Sequence, residues 1–183
     1  MTETADRFAT AAAGFSRTVA AVPADAWNNA SPCVGWNARD IVRHLVEWVP
    51  GFYGANANLT FPRGPSVDDD PVGAWNTMRD GILAVLADPT ASAVEFDSRA
   101  GKMSVEQSIA MIVTGDVLIH TWDLARATGL DETLDPIEVH RMLEGVQPFD
   151  EMLRSSGQFG PKVMVPDSAD EQTKLVAFMG RTP

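Results

Sequence analysis

The chain has 183 residues, of which 45% are hydrophobic and 21% charged, and its formal net charge is -11. This composition is typical of a globular protein, and we expect a single domain over residues 1–183, with a core over about 2–156 and a C-terminal extension over about 157–183. The acidic excess argues against phosphate-backbone binding, because no basic stripe is available to displace counterions. We therefore expect no nucleic acid partner.

The single cysteine, Cys33, leaves no internal disulfide to form and fits a reducing cytoplasm. The N-terminal segment MTETADRF is acidic where a secretory signal would be basic. No stretch approaches the roughly 20 apolar residues that a membrane span needs. We expect a soluble, cytoplasmic protein with no membrane partner.

Hydrophobic periodicity predicts four long helices. The first covers about residues 2–22. The second begins after Asn37, which has Asp40 three residues on, and we expect Pro50-Gly51 to kink or break it. The third begins at Asp70-Pro71, ends at Asp88-Pro89 and is followed by strand-like alternation near residues 94–96 and a turn at 99–102. The fourth spans 104–129.

Shorter elements are predicted for the last third of the chain. Asp135-Pro136 begins a helix that runs to about Glu144, and a short helical piece follows to Arg154. An extended piece covers 162–165, and a last helix begins at a capping box and ends at Gly180. The capping box is formed by Ser168 and Glu171. Together these elements predict an all-α four-helix bundle with accessory helices and a short extended C-terminal segment.

The fourth helix carries the most informative polar pair. Ser104 and Gln107 form a capping box at its start, and Gly129 lies where it should end. Asp116 and His120 are four residues apart, so they project from one face of an otherwise apolar helix. A buried carboxylate is costly unless it is paired, hydrogen-bonded or bound to metal. The pair is therefore either a hydrogen bond that orders the core or part of a metal site.

Two segments resemble a known family. Residues 31–45, SPCVGWNARDIVRHL, resemble the "C-x-G-W, then D-hydrophobic-x-x-H-L" start of helix two in mycothiol-dependent maleylpyruvate isomerase-type proteins of the DinB-like metalloprotein superfamily. Residues 116–129, DVLIHTWDLARATG, are similar to the "H-T-W-D-L-A-R-A-x-G" helix of the same group. The tail, from FGP at 159–161 to GRTP at 180–183, resembles the end of a short actinobacterial branch. The resemblance covers nearly the whole chain.

This resemblance implies a DinB-like bundle in which one divalent metal is bound by His44, Asp116 and His120. The isomerase of the family has Glu where this chain has Asp116, and it has an additional C-terminal domain that this chain is too short to contain. Two imidazoles and one carboxylate leave coordination positions open, as in catalytic zinc sites, and iron or nickel are alternatives to zinc. The resemblance implies mycothiol or another low-molecular-weight thiol as the cofactor, and a thiolate would neutralise the single remaining positive charge.

The function expected on these grounds is a metal-dependent, thiol-using transferase or isomerase whose partners are a small-molecule electrophile and the thiol. The alternative is a non-catalytic metal-binding or stress-response module with a structural metal. The sequence identifies no catalytic acid or base, and it leaves a homodimer open.

Several other side chains have two interpretations each. Asp123 is either a packing group or an acceptor behind a metal ligand, and His140 could replace one of the proposed ligands. Cys33 is either a small packing residue or a nucleophile, although nothing beside it in sequence would activate it. Three tryptophans could line a substrate pocket or belong to the core, namely Trp36, Trp48 and Trp122.

Overall fold

Four long helices surround the main hydrophobic core in a computed structural model that describes residues 2–98, 101–155 and 160–183. They are α1 (Glu3–Ala21), α2 (Ala38–Ala57), α3 (Pro71–Ala87) and α6 (Thr114–Thr128). Helix α1 packs against α3 and α6, and α2 packs against the same two helices, which closes the bundle. The all-α, DinB-like architecture predicted from the sequence is thereby confirmed.

The ends of these helices follow the predicted caps closely. Asn37 and Asp40 form a reciprocal capping box at the start of α2, and Asp70 accepts a hydrogen bond from Gly73 at the start of α3. Helix α3 stops at Asp88, as the Asp-Pro pair predicts. Of the kink or break expected at Pro50-Gly51, the break does not occur, because α2 continues through both residues to residue 57.

Short elements connect α3 to α6. Helix α4 (Pro89–Ser92) leads into an antiparallel hairpin of β1 (Glu95–Ser98) and β2 (Gly101–Ser104). The start of the predicted turn, residues 99 and 100, lies outside the described residues. The apolar positions Phe96 and Met103 are paired across the hairpin and are buried against the core. The hairpin thus packs against the core beside α2 and leads directly into the helix that carries Asp116.

The central helix is not uniformly α-helical. Its capping box at Ser104 and its left-handed end at Gly129, with φ of 70°, are as predicted. Between α5 (Val105–Ser108) and α6, however, a π-helical turn spans Ile109–Val113. Such turns insert an extra residue and are frequent at functional sites. Here the turn ends shortly before Asp116 and changes the direction in which the following residues project.

A second hydrophobic cluster joins α6 to the C-terminal part of the chain. This part contains α7 (Pro136–Val146), a 3-10 turn (Gln147–Phe149), α8 (Asp150–Ser155) and α9 (Glu171–Phe178). Leu118, Ile119 and Trp122 of α6 belong to the cluster with apolar residues of α7 and α9. The predicted Ser168 capping box was wrong, since Asp170 caps α9 by accepting from Thr173. Helix α6 is therefore buried on two sides.

Across these described ranges, no helix combines the length and apolarity that crossing a bilayer requires.

Candidate metal centre

The packing of α2 against α6 brings together the three residues that the sequence analysis proposed as metal ligands. Nε2 of His44 lies 3.1 Å from Oδ2 of Asp116, and Nε2 of His120 lies 3.4 Å from Oδ1. The three ligand atoms all lie within 4.8 Å of one another. This is the arrangement required for three side chains to share one cation with bonds of roughly 2 Å.

The local sequence explains how the carboxylate reaches this position. Asp116 follows the π-helical turn, and Gly115 beside it has no side chain. A Cβ at Gly115 would lie 3.3 Å from Cε of Met142, so the absence of a side chain lets α7 approach. Asp116 keeps 23% of its side-chain surface exposed and His44 keeps 28%, whereas His120 keeps 6%. The cluster is therefore buried at His120 and partly exposed to solvent at His44 and Asp116.

Aromatic side chains flank the cluster. The indole N–H of Trp48 donates to Oδ2 of Asp116 at 2.8 Å. The ring of Trp36 lies 5.0 Å from the ring of His44 and 5.8 Å from that of His120. Trp122 instead belongs to the second hydrophobic cluster and packs under Arg126. Two of the three candidate tryptophans thus contact the proposed ligands.

The second ring nitrogen of His120 is also engaged. Its Nδ1 lies 2.9 Å from Oδ2 of Asp123, whose side chain is 0% exposed. An ionised carboxylate can only accept, so Nδ1 carries the proton and donates it to Asp123. A carboxylate behind a histidine ligand is a recurring feature of metal sites, because it fixes the tautomer and the ring orientation. Asp123 therefore acts as more than a packing residue.

Sequence reasoning missed Arg181, which completes this network from the end of the chain. Its guanidinium donates to both oxygens of Asp123, at 3.0 and 2.7 Å, and approaches Sγ of Cys33 at 3.5 Å. The thiol of Cys33 in turn lies 3.3 Å from Asp123. The only sequence signal for Arg181 was indirect: a buried Asp123 requires a cationic or hydrogen-bonding partner.

Protonation in the cluster follows from competing effects. Burial would raise the pKa of Asp116, but the charges and hydrogen bonds of His120 and His44 outweigh it and lower that pKa. Burial would likewise lower the pKa of His120, whereas Asp116, Asp123 and Cys33 raise it well above its ordinary value. The pKa of Asp123 is lowered, despite burial, by His120 and Arg181. Both carboxylates are therefore ionised at neutral pH.

Two alternative ligand sets fit less well. His140 is exposed and hydrogen-bonded to Glu171 at 2.9 Å, so it does not replace one of the three residues. Cys33, His120 and Asp123 form a second group with close donor atoms. In that group, however, the guanidinium of Arg181 already neutralises Asp123 and would repel a second cation.

The fold and the cluster define a helical-bundle protein with a two-histidine, one-carboxylate candidate metal centre. The chain belongs to the family of the mycothiol maleylpyruvate isomerase N-terminal domain, whose model matches residues 8–125. This confirms the resemblance drawn from the sequence motifs. The match includes all three proposed ligands and Asp123 but not Arg181.

Comparison with curated proteins gives relatives from a mycobacterium. Uncharacterized proteins of two Mycobacterium tuberculosis strains, CDC 1551 / Oshkosh and H37Rv, are 29% identical over 170 residues, which cover 92% of this chain and 92% of each relative. No solved structure gives a significant match. An alignment of 170 residues extends beyond residue 125, where the match to the family model ends.

Proposed function

We propose that the protein binds one divalent metal ion through His44, Asp116 and His120 and uses it as a thiol-dependent transferase or isomerase. The observation that carries the proposal is the close approach of the three ligand atoms, all within 4.8 Å of one another, although His44 and His120 lie on different helices. Zinc is the first choice, and iron or nickel are the alternatives, because imidazole and carboxylate suit all three.

The residues present fit such an ion. Asp116 is ionised, and Nε2 of each histidine faces one of its oxygens, so each ring would give up the Nε2 proton to serve as a ligand. Asp123 and Arg181 hold the opposite side of the His120 ring, and Trp48 holds the carboxylate. When bound, the metal would lower the pKa of a coordinated thiol and supply a thiolate nucleophile at neutral pH.

The open side of the cluster supports catalysis over a purely structural metal. Asp116 and His44 are each about one quarter exposed, which leaves room for a ligand from solvent. The two protein groups considered as a fourth ligand point elsewhere. Asp123 meets His120 at the opposite ring nitrogen, and His140 pairs with Glu171 on the surface. Three protein ligands with an open position are typical of catalytic zinc.

The proposed partners are a low-molecular-weight thiol of the mycothiol type and a small electrophile. Mycothiol enters the proposal through the family, which is that of the mycothiol maleylpyruvate isomerase N-terminal domain. The chemistry assigned to the site is general: the thiolate attacks an electrophilic carbon and forms a carbon–sulfur bond, while either a leaving group departs with its bonding electrons or a π bond of the electrophile opens and takes up a proton. We place this activity in the cytoplasm, with neither nucleic acid nor membrane as partner.

Metal analysis of the purified protein, followed by zinc titration, tests the metal site. We expect one equivalent in the wild type and none in the double variant His44→Ala/His120→Ala. His140→Ala is the matched control, because it removes the third histidine of the chain from the surface and should leave binding unchanged. Stoichiometric metal in the double variant would rule out the assignment.

Thiol binding can be tested separately with cobalt in place of zinc. Addition of mycothiol should produce a sulfur-to-cobalt charge-transfer band, as expected for direct coordination. The experiment should use the Cys33→Ser variant, because Sγ of Cys33 lies close to Asp123 and could itself supply a sulfur ligand. A metal-bound protein that shows no such band and no turnover with a panel of electrophiles would instead be the non-catalytic module.

A further inference from the structure

The C-terminal tail contributes a charged side chain to the candidate metal centre. Arg181 donates to both oxygens of Asp123, and Oδ2 of Asp123 accepts from Nδ1 of His120 at 2.9 Å. Asp123 is 0% exposed and Arg181 14% exposed, so this ion pair is shielded from solvent. A continuous series of contacts thus links the third-last residue of the chain to a proposed ligand.

We infer that Arg181 is a positioning residue which, by fixing Asp123, holds the imidazole of His120 with Nδ1 as donor to Asp123 and Nε2 directed towards the proposed metal position. The inference rests on the proposed metal site. It assigns a function to the tail, which lies beyond the residues 8–125 that the family model matches.

The end of α9 directs Arg181 towards this position. Gly180 has a left-handed conformation, with φ of 85°, and its N–H donates to the carbonyl of Ala177. The N–H of Arg181 donates to the carbonyl of Val176. These two bonds are the Schellman arrangement, which reverses the chain at a helix end. The side chain of Arg181 then lies beside α6, and its Nη1 donates to the carbonyl of Met179 at 3.0 Å.

A guanidinium suits this role better than other cations. Two of its nitrogens contact Asp123, so it restrains the orientation of the carboxylate as well as its charge. Without it, Asp123 would be a buried carboxylate with His120 and the thiol of Cys33 as its remaining partners. Such a carboxylate gains by reorienting towards other donors. Its reorientation would release the His120 ring.

The chain offers a matched ion pair for separating this role from general stabilisation. Arg7 also makes a bidentate contact with a nearly buried carboxylate, Glu138, whose side chain is 6% exposed. Glu138 pairs with Arg7 and Arg141 rather than with a proposed ligand. Loss of Arg7 should therefore lower stability without altering the metal site.

The test compares the zinc affinities of Arg181→Met and Arg7→Met, measured by competition with a chromophoric chelator. The thermal stability of each variant is measured in parallel. We expect Arg181→Met to weaken zinc binding by about 10- to 100-fold, the usual effect of losing support behind a histidine ligand. Arg7→Met should bind zinc as tightly as the wild type does, even if its melting temperature falls as far as that of Arg181→Met. Equal affinities for the wild type and Arg181→Met would overturn the inference and leave the proposed function standing.

Conservative variants keep the test decisive if Arg181→Met does not fold. Arg181→Lys retains the charge but loses the two-pronged contact, and it should lie between the wild type and Arg181→Met in zinc affinity. Asp123→Asn should weaken binding as Arg181→Met does, and combining the two changes should add little, because both act through one contact. Additive losses, or wild-type affinity in both Asp123→Asn and Arg181→Lys, would contradict a positioning role. A wild type that binds no zinc would end the proposed function together with this inference.

Discussion

The indole nitrogen of Trp48 lies 2.8 Å from Oδ2 of Asp116. The same oxygen faces Nε2 of His44, while Oδ1 faces His120. Asp116 is thus held on one oxygen by a neutral donor from α2, and its other oxygen turns towards the second histidine. Because Trp48 and His44 lie on the same helix, the packing of α2 determines the positions of both the proposed ligand and the indole that donates to the carboxylate.

Replacement of Trp48 by Phe should weaken zinc binding. The phenyl ring would retain contact with Phe52, 5.8 Å away between ring centres, but it would not donate to Asp116. We expect a loss of about 10-fold, at the low end of the range for supporting residues. Competition titration would measure it. Trp75→Phe is the matched control, since it removes an indole hydrogen bond to Ser16 in the bundle core. Wild-type affinity in Trp48→Phe would show that the indole does not support the site.

Gly180→Ala should destabilise the protein more than Gly129→Ala. Both glycines have the left-handed backbone conformation at helix ends, and an alanine in that conformation lowers the stability by about 1–2 kcal/mol. At Gly129 a new Cβ meets nothing within 4 Å, whereas at Gly180 it would lie 3.1 Å from the backbone of Gly160. Urea unfolding of both variants gives the comparison. Gly180→Ala should also weaken zinc binding, since it displaces Arg181, and unchanged affinity would contradict that link.

The single tyrosine of the chain offers a direct test of core burial. Burial raises the pKa of Tyr53 to about 12, although its hydrogen bond to Ser108 acts in the opposite direction. The stabilisation of the neutral phenol is therefore complete below the ordinary pKa of 10 and is lost as pH rises through 12. Tyrosinate absorbance should appear only as pH approaches about 12 or when the protein unfolds. Ser108→Ala should raise the pKa further, and a normal titration near 10 would show that Tyr53 is accessible to solvent.

The contact between α7 and α9 should depend on pH. The hydrogen bond to Glu171, with the charges of Glu171 and Glu144, raises the pKa of His140 above 6.5. The imidazolium therefore stabilises the fold fully below pH 6.5, and the contribution is lost as pH rises through the higher folded-state pKa. His140→Gln should abolish this part of the pH dependence of unfolding. Titration of the His140 ring protons by NMR checks the shift, and Glu171→Gln should return the pKa towards 6.5.

The sequence by itself determined those features that depend on neighbouring residues. Capping boxes at Asn37 and Ser104 marked two helix starts, and Gly129 marked an end, because caps act within one turn. The spacing of Asp116 and His120 fixed their shared face for the same reason. Two local features were not decided by local signals. Helix α2 continues through Pro50 without the break that was one of two expectations, and the π-helical turn before α6 gave no periodicity that could be distinguished from an α-helix.

Only the tertiary structure decided which side chains meet across helices. His44 was indicated by family motifs, but its distance to Asp116, 72 positions away, depends on how α2 packs against α6. Trp48 and Arg181 also reach the site through tertiary packing. Trp48 contacts Asp116 across 68 positions, and Arg181 contacts Asp123 across 58. Such contacts are set by the burial of apolar surface on several elements at once, which no short stretch of sequence encodes. The geometry of the centre is therefore a property of the packed bundle.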